Sequence, residues 1–532
     1  MEKVSQERSI IINVANTQYD IIKSIASEEL NWTLSEKDTE ENWDICWQDF
    51  AISPEKFADL EIYQKINHFP GMGTLSRKNN LASNLNIMQK VFPDDYNFFP
   101  ETWVLPKDLF DLKNRAKFNI LIVKPESSCQ GKGISLIKRI EDLPERCVAQ
   151  RYISRPFLID NLKFDLRLYV LITGCDPLRI FLHEDGLVRF ATEEYKEARN
   201  NLENLYMHLT NYAINKNNPK FQFEPSGTFM GHKRTLSWLW SYLEEKGHNV
   251  DALWREIAAI IVKTIISGAP CITHLYRSCH PDDPTNSMCF EVLGFDVILD
   301  QNLKPWLLEV NHTPSFTVDS QIDLMVKKSV IIDALNLLNI TPQNRTLLNN
   351  SIKSRLKDRN LLKIKEYKKW KEKQANKWRF SRDIFEQQQE SGFVKIYPDF
   401  RQIYVKFMDV ANQIWSKSTI PKIITEQEEE TIIRQVIRKK ISLPKLRKKW
   451  EALSRKRIPS PQEPPRKEET FVFRALPVPR RLVSRIDFKP KKNMSLTGNY
   501  LIPKVMSYQG EQAQEENKSF MKWKLIKQTS EG

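Results

Sequence analysis

Cys289 to His312 reads CFEVLGFDVILDQNLKPWLLEVNH. Two apolar runs flank a short polar turn, which predicts an antiparallel hairpin. With the turn centred between Asn302 and Leu303, Asp296 lies directly across from Glu309. Asn311 shares that face, because side chains alternate along a strand. Gly294, Ile298 and Leu307 are placed on the same face, which argues against a wetted surface. Two carboxylates and an amide oxygen then meet in a dry setting. Like charges so placed are costly unless a cation lies between them. An all-oxygen donor set with carboxylates suits Mg²⁺ completed by nucleotide phosphates. The plainer alternative is a hairpin with one polar face.

Upstream of the hairpin, residues 9 to 15 (SIIINVA) predict a buried strand, and Thr17 to Glu29 has helical spacing. Leu81, Leu85 and Met88 suggest another helix. Strand-like runs follow at Asn119–Val123, Cys147–Tyr152, Arg167–Thr173 and Arg179–Leu182. Asp251 to Gly268 carries Leu253, Ile257, Ile260, Ile261 and Thr264 on one helical stripe. Asp323 to Leu338 reads as a closing helix. Strands and helices mix without strict alternation, so the fold class is α+β with several lobes.

The run from Ile120 to Ile134 predicts strand, glycine loop, strand. Gly131 and Gly133 would let backbone amides approach an anion, and Lys124 ends the first strand. A P-loop is excluded, since that pattern needs Gly at 126 and Ser or Thr at 133, where Glu126 and Gly133 stand. Gln150-Arg151-Tyr152-Ile153 is either an edge that meets a purine base or a plain strand end. Lys163, Asp165 and Arg167 share one strand face, as in a ribose-phosphate site or a salt-bridged sheet. His208 to Tyr212 is a polar-aromatic cluster.

The chain has 532 residues, 41% of them hydrophobic, and a net charge of +14. Much of that charge follows residue 350. Ile352 to Arg379 holds twelve Lys or Arg against three acids, a net of +9 over 28 residues without Pro or Gly. It predicts a basic helix that attracts an acidic partner. Seven scattered cysteines with no CxxC spacing fit a reducing compartment. Cys271, His274, Cys279 and His280 match no compact zinc module. The N-terminal MEKVSQERSIIINVANTQYD lacks a signal peptide's apolar core, and no apolar run has membrane-spanning length. A cytoplasmic protein is expected, with no membrane contact. No nucleic-acid motif accompanies the charge, so no nucleic-acid partner is expected. PSPQEPP (459–465) and LPVP (476–479) predict an extended tail.

Together these phrases resemble the tubulin tyrosine ligase-like family, in its polyglutamylase branch. The likeness is carried by INHFPGM (66–72), KPESSCQGKGI (124–134), SRPFLIDNLKFDLRLYVL (154–171), HLTNYAINK (208–216) and FEVLGFDVILDQNLKPWLLEVNHTPSF (290–316). The resemblance implies an ATP-grasp-like, three-lobed ligase core over 9–345, with lobes 9–105, 106–190 and 191–345. A basic helical segment (350–385), a helical or linker region (386–450) and a largely disordered Pro-rich tail (451–532) would follow. By the same resemblance, Lys124, Gln130, Gly131, Gln150, Arg151, Tyr152, Ile153, Lys163, Phe164, Asp165, Thr210 and Asn211 would contact ATP. Asp296, Glu309 and Asn311 would hold Mg²⁺. Arg189, Tyr212, Ala213 and Lys233 would hold free L-glutamate, and Lys124, Arg167 and Glu309 would act in catalysis. Ala213 departs from a common serine, and Ser128 from a frequent glycine.

The family's chemistry implies ATP-driven addition of glutamate to tubulin C-terminal tails through an acyl phosphate, by a monomer. The basic segment 352–379 would bind microtubules, at the cytoskeleton or at the cilium and basal body. Cutting after Leu348 is expected to spare ATP binding and weaken microtubule modification. The alternatives are a ligase for glycine or for another acidic protein, and an inactive microtubule-binding relative.

Overall fold

The computed structural model describes residues 9–116, 120–125, 131–196, 200–222, 231–348, 350, 364–399 and 401–418. The chain divides into two units, Met1–Ile441 and Ser442–Gly532, and every described residue belongs to the first. The expected Pro-rich tail, residues 352–363 of the basic run, and Gln130 lie outside the described residues.

Three sheets carry the architecture. The first is parallel, with strands β1 (Ile11–Asn13), β2 (Thr33–Ser35), β3 (Ile45–Cys46) and β4 (Lys65–Ile66) in the order β2-β1-β3-β4. The second is antiparallel, with β5 (Thr102–Val104), β6 (Leu121–Lys124), β7 (Ser135–Ile137) and β8 (Val148–Arg151) in the order β5-β8-β6-β7. The third contains β9 (Leu158–Ile159), β10 (Leu162–Cys175), β11 (Leu178–His183), β12 (Leu187–Phe190), β13 (Lys233–Thr235), β14 (Glu291–Leu299), β15 (Pro305–Asn311) and β16 (Phe393–Tyr397). Its spine is β10, fourteen residues long. Its length lets it pair with β12 and then β11 along one edge, and with β14 along the other.

The hairpin β14–β15 pairs Asp296 with Glu309 and Gly294 with Asn311, in the expected register. Asp300 builds the turn: its Oδ1 accepts from Asn302 N at 2.8 Å and Lys304 N at 3.1 Å. The ladder slips by one residue between Asp296 and Val297, so Val297 pairs with Leu307 and Ile298 with Trp306. This bulge corrects the expected face of Leu307. Leu307 turns with Val297 to the opposite side, and Leu308, the extra residue, faces the cleft described below.

The helix Val250–Cys279 packs behind this sheet. Asn249 caps it by accepting from Ala252 N at 3.0 Å. Its expected stripe is buried, but the helix continues beyond Gly268 and through Pro270, because Ile272 and Tyr276 carry the buried face onward. Its length and composition would suit a membrane span, yet 61% of its most apolar window is buried within the protein. The closing helix runs Gln321–Leu337 from a Ser320 cap.

The main sheet does not end at 345. The helix Ile364–Gln388 leads into β16, which pairs with β11, and the helix Val405–Ser418 packs on Val250–Cys279. Within the region expected to be helix or linker, 393–397 is therefore a strand.

Candidate active site

Pairing in register aligns charged side chains across one face of the main sheet. Lys233 on β13 sits beside Arg189 on β12, and Arg189 beside Asp165 on β10. One step along β10, Arg167 sits beside Asp296 on β14, and Asp296 beside Glu309 on β15. The result is a buried lattice of alternating sign. Arg167 holds Asp296 with two bonds, at 2.6 and 3.1 Å. Arg189 holds Asp165 at 2.9 and 2.5 Å and reaches Asp296 at 2.9 Å. Gly294 leaves room for the first pairing: a Cβ there would meet Arg167 Cδ at 3.1 Å and Nε at 3.2 Å, a tight contact.

Asn311 Nδ2 lies 3.2 Å from Glu309 Oε1 and 3.4 Å from Asp296 Oδ2. The trio therefore converges. An amide's N and O are nearly interchangeable in shape, so a half-turn of Asn311 would present a third oxygen to the same point. Burial raises the Asp296 carboxyl, but Arg167 and Arg189 outweigh burial and hold it far below the usual carboxylate range. Burial, and then the charge of Asp296, push Glu309 above its ordinary value. A cation between them would relieve that repulsion, so the donor set fits one hard divalent ion. Among the described residues no His/Cys/Asp/Glu trio offers an alternative metal site. His280 instead bonds Phe57 O at 2.6 Å, and Cys279 bonds Pro54 O at 3.3 Å.

Above the lattice, between the second and third sheets, opens a cleft. Lys124, Gln150, Arg151, Tyr152, Ile153, Lys163, Asp165, Thr210, Asn211, Asp296 and Glu309 line it. Lys124 Nζ donates to Gln150 Oε1 at 2.8 Å, and Gln150 Nε2 to Thr102 Oγ1 at 2.9 Å. Lys163 Nζ donates to His208 O at 2.6 Å and to Tyr152 Oη at 3.0 Å. Tyr152 Oη lies 2.8 Å from His208 Nδ1, and His208 Nε2 lies 2.8 Å from Asn201 O. The chain is consistent if Nε2 carries the histidine proton and Nδ1 accepts from the phenol. Gly131 has φ +81°, and a Cβ there would meet Ile214 Cδ1 at 2.6 Å and Asn211 Oδ1 at 3.1 Å. Gly131 thus packs against Asn211.

Several expected residues lie elsewhere. Phe164 turns to the other side of β10 and packs on Phe190, 5.3 Å between ring centroids. Arg167 and Arg189 lie beneath the cleft and are occupied by carboxylates. Tyr212 and Ala213 stand on the short helix Tyr212–Asn215, half-buried. Lys233 Nζ is 4.0 Å from the Tyr212 ring centroid and 2.6 Å from Asp323 Oδ2. Pro100, Ile122, Ile134, His208, Leu209, Ile298 and Leu308 complete the lining. Of these only Ile298 follows from strand alternation with Asp296, and the sequence places His208 in a polar-aromatic cluster and no further.

The sequence profile described as the tubulin-tyrosine ligase family matches residues 56–348. The chain is 46% identical over 431 residues to a probable beta-tubulin polyglutamylase of Tetrahymena thermophila, 78% of this chain and 36% of that protein. It is 39% identical over 461 residues to tubulin polyglutamylase TTLL6 of Mus musculus, covering 84% and 55%. With tubulin polyglutamylase TTLL13 of Mus musculus it shares 46% over 362 residues, covering 66% and 44%. The chain thus spans between about a third and about half of the length of these relatives. A profile match over more than half of the chain, across the cleft and the hairpin, supports one conclusion: the chain belongs to the tubulin-tyrosine ligase family.

Proposed function

We propose that the chain is an ATP-dependent ligase of ATP-grasp type that adds glutamate to glutamate side chains, or to growing glutamate chains, on tubulin tails. The observation that carries this reading is the convergence of Asp296, Glu309 and Asn311 beside a cleft with two buried lysines. The names of its relatives point the same way. Apolar Ile122, Ile298 and Leu308 suit a base, and the strand end Gln150–Ile153 suits its edge. Lys124, Lys163, Asp165, Gly131, Thr210 and Asn211 suit ribose and phosphates. Mg²⁺ on the trio would neutralise phosphate charge. Tyr212, Ala213 and Lys233 would meet glutamate, while Arg189, already paired with Asp165 and Asp296, would contribute by its charge.

On this reading the acceptor carboxylate takes the γ-phosphoryl group of ATP, giving an acyl phosphate and ADP. The amine of free glutamate attacks the acyl carbon, phosphate leaves, and the amine's proton passes to solvent. Positioning and charge neutralisation supply the rate. Lys369, Lys373, Lys377 and Arg379 are exposed on the helix Ile364–Gln388 and would draw acidic tubulin tails to the cytoskeletal enzyme. The test is incubation with microtubules, ATP, Mg²⁺ and labelled glutamate or glycine, followed by mass spectrometry of the tails. Glutamate should be incorporated in preference to glycine. Glycine incorporation alone, or none of either, would overturn the reading.

Nucleotide binding should also depend on pH. Burial pulls the Lys163 ammonium down to about 7 and Lys124 down to about 8. A bound polyphosphate raises both, so binding takes up protons. Between pH 7 and 9 the affinity for ATP should therefore fall, by up to about tenfold per pH unit for each coupled proton. Calorimetry at pH 8 in two buffers of different ionisation enthalpy should read net proton uptake. No uptake would mean that both lysines are already charged in the free protein.

A further inference from the structure

Asp323 lies in the first turn of the helix Gln321–Leu337 and is fully buried. Its Oδ2 is 2.6 Å from Lys233 Nζ, and its Oδ1 is 2.9 Å from Lys327 Nζ. Ser320 Oγ donates to Asp323 Oδ2 at 3.0 Å and accepts from Asp323 N at 3.2 Å. The carboxylate is thus oriented from its own helix, whose N-terminal end also favours negative charge. Lys327 Nζ donates to Thr317 O at 2.5 Å, and Lys233 Nζ rests over the Tyr212 ring. Two flexible side chains from separate elements are therefore pinned on one anion.

A second observation lies on β10 in the same region. Tyr169, one alternation beyond Arg167, has a fully buried hydroxyl without a hydrogen-bond partner. The charges it senses most strongly are Arg167 and Asp323. A buried hydroxyl of this kind is costly to leave unpaired.

We propose that Asp323 is a positioning residue for the incoming amino acid: by holding Lys233 it presets that ammonium group for an acidic side chain, with Lys327 balancing the buried charge. The inference rests on the glutamate-ligase reading above. A lysine already fixed in its bound geometry loses less rotamer freedom when the substrate arrives. Two views of Asp323 predict opposite signs. If it only subtracts charge, its removal makes the region more positive and tightens an anionic substrate. If it positions, its removal loosens Lys233 and weakens that substrate.

The test measures KM for glutamate and for ATP with the full chain, microtubules and Mg²⁺. Asp323→Asn should raise the glutamate KM about tenfold and leave the ATP KM within about twofold. The double change Asp323→Asn with Lys327→Met removes one charge of each sign, which keeps the buried group balanced should the single change fail to fold. It should show the same raised glutamate KM. A lowered or unchanged glutamate KM in the folded single or double variant would overturn the inference, as would parallel rises in both KM values. Those results would leave the ligase reading standing, because the wild type would still incorporate glutamate. A wild type that incorporates none would overturn both.

Discussion

Glu309→Gln should abolish most ligase activity while leaving a folded protein of equal or greater stability. Glu309 is the trio member whose oxygen lies nearest the Asn311 amide, at 3.2 Å, and it also borders the cleft. An uncharged amide keeps the shape and loses the charge that a divalent ion needs. Loss of that electrostatic contribution corresponds to several kcal/mol of transition-state stabilisation, or roughly 100- to 1000-fold in kcat/KM. The stability sign follows from the pKa direction. Burial and Asp296 raise the Glu309 carboxyl above its unfolded value. Its ionised form is therefore disfavoured in the fold, and stability is lost as pH rises through the raised value. At neutral pH the substitution removes that penalty. Thermal melts without metal, beside microtubule assays, check both halves. Full activity in Glu309→Gln would remove the metal trio from the mechanism.

Glu386→Ala should cost about 3–5 kcal/mol of stability, as expected when one member of a buried ionic group is removed. The Glu386 side chain is 1% exposed. Arg179 reaches it at 2.6 Å, Lys395 at 2.7 Å and Arg382 at 3.1 Å. Arg382 also donates to Thr173 O, and to Asn286 O at 3.2 Å. Asp383 contacts Arg179 at 2.6 Å and Lys395 at 3.3 Å, so it offers partial compensation and favours the lower end of the range. Urea denaturation should show a lower midpoint. A loss below about 1 kcal/mol would mean that Asp383 alone neutralises the cluster.

This cluster changes what a truncation can reveal. Cutting after Leu348 removes β16 and both Asp383 and Glu386, which hold Arg179, as well as the exposed cations. A charge-selective test of the basic helix needs substitutions at Lys369, Lys373, Lys377 and Arg379 in the intact chain.

Much of the site is legible from residue order. A turn between Asn302 and Leu303 suffices to oppose Asp296 and Glu309, because local pairing follows from local sequence. The bulge at Leu308 is hidden, since strict alternation gives no sign of an inserted residue, and it moves Leu307 to the other face. Lys163, Asp165 and Arg167 are visibly on one face of a strand. Their partners are not visible, because Arg189 and Asp296 come from strands on opposite edges of β10, and sequence does not order strands. Strand β16 escapes for a related reason. Five residues between helices carry little periodic signal, and their role depends on an edge supplied by β11 far upstream. Arg382 reads as one cation among many until its burial is known.

The strand β10 carries Lys163, Asp165, Arg167 and Tyr169 along one side. Successive residues advance ~3.3 Å, so the first and last of these stand about 20 Å apart. Both ends of the reaction centre are thus referenced to a single covalent ruler. On the proposed ligase reading, loosening of the neighbouring sheets would shift how easily molecules enter, while the gap between the phosphate end and the amino-acid end stays constant.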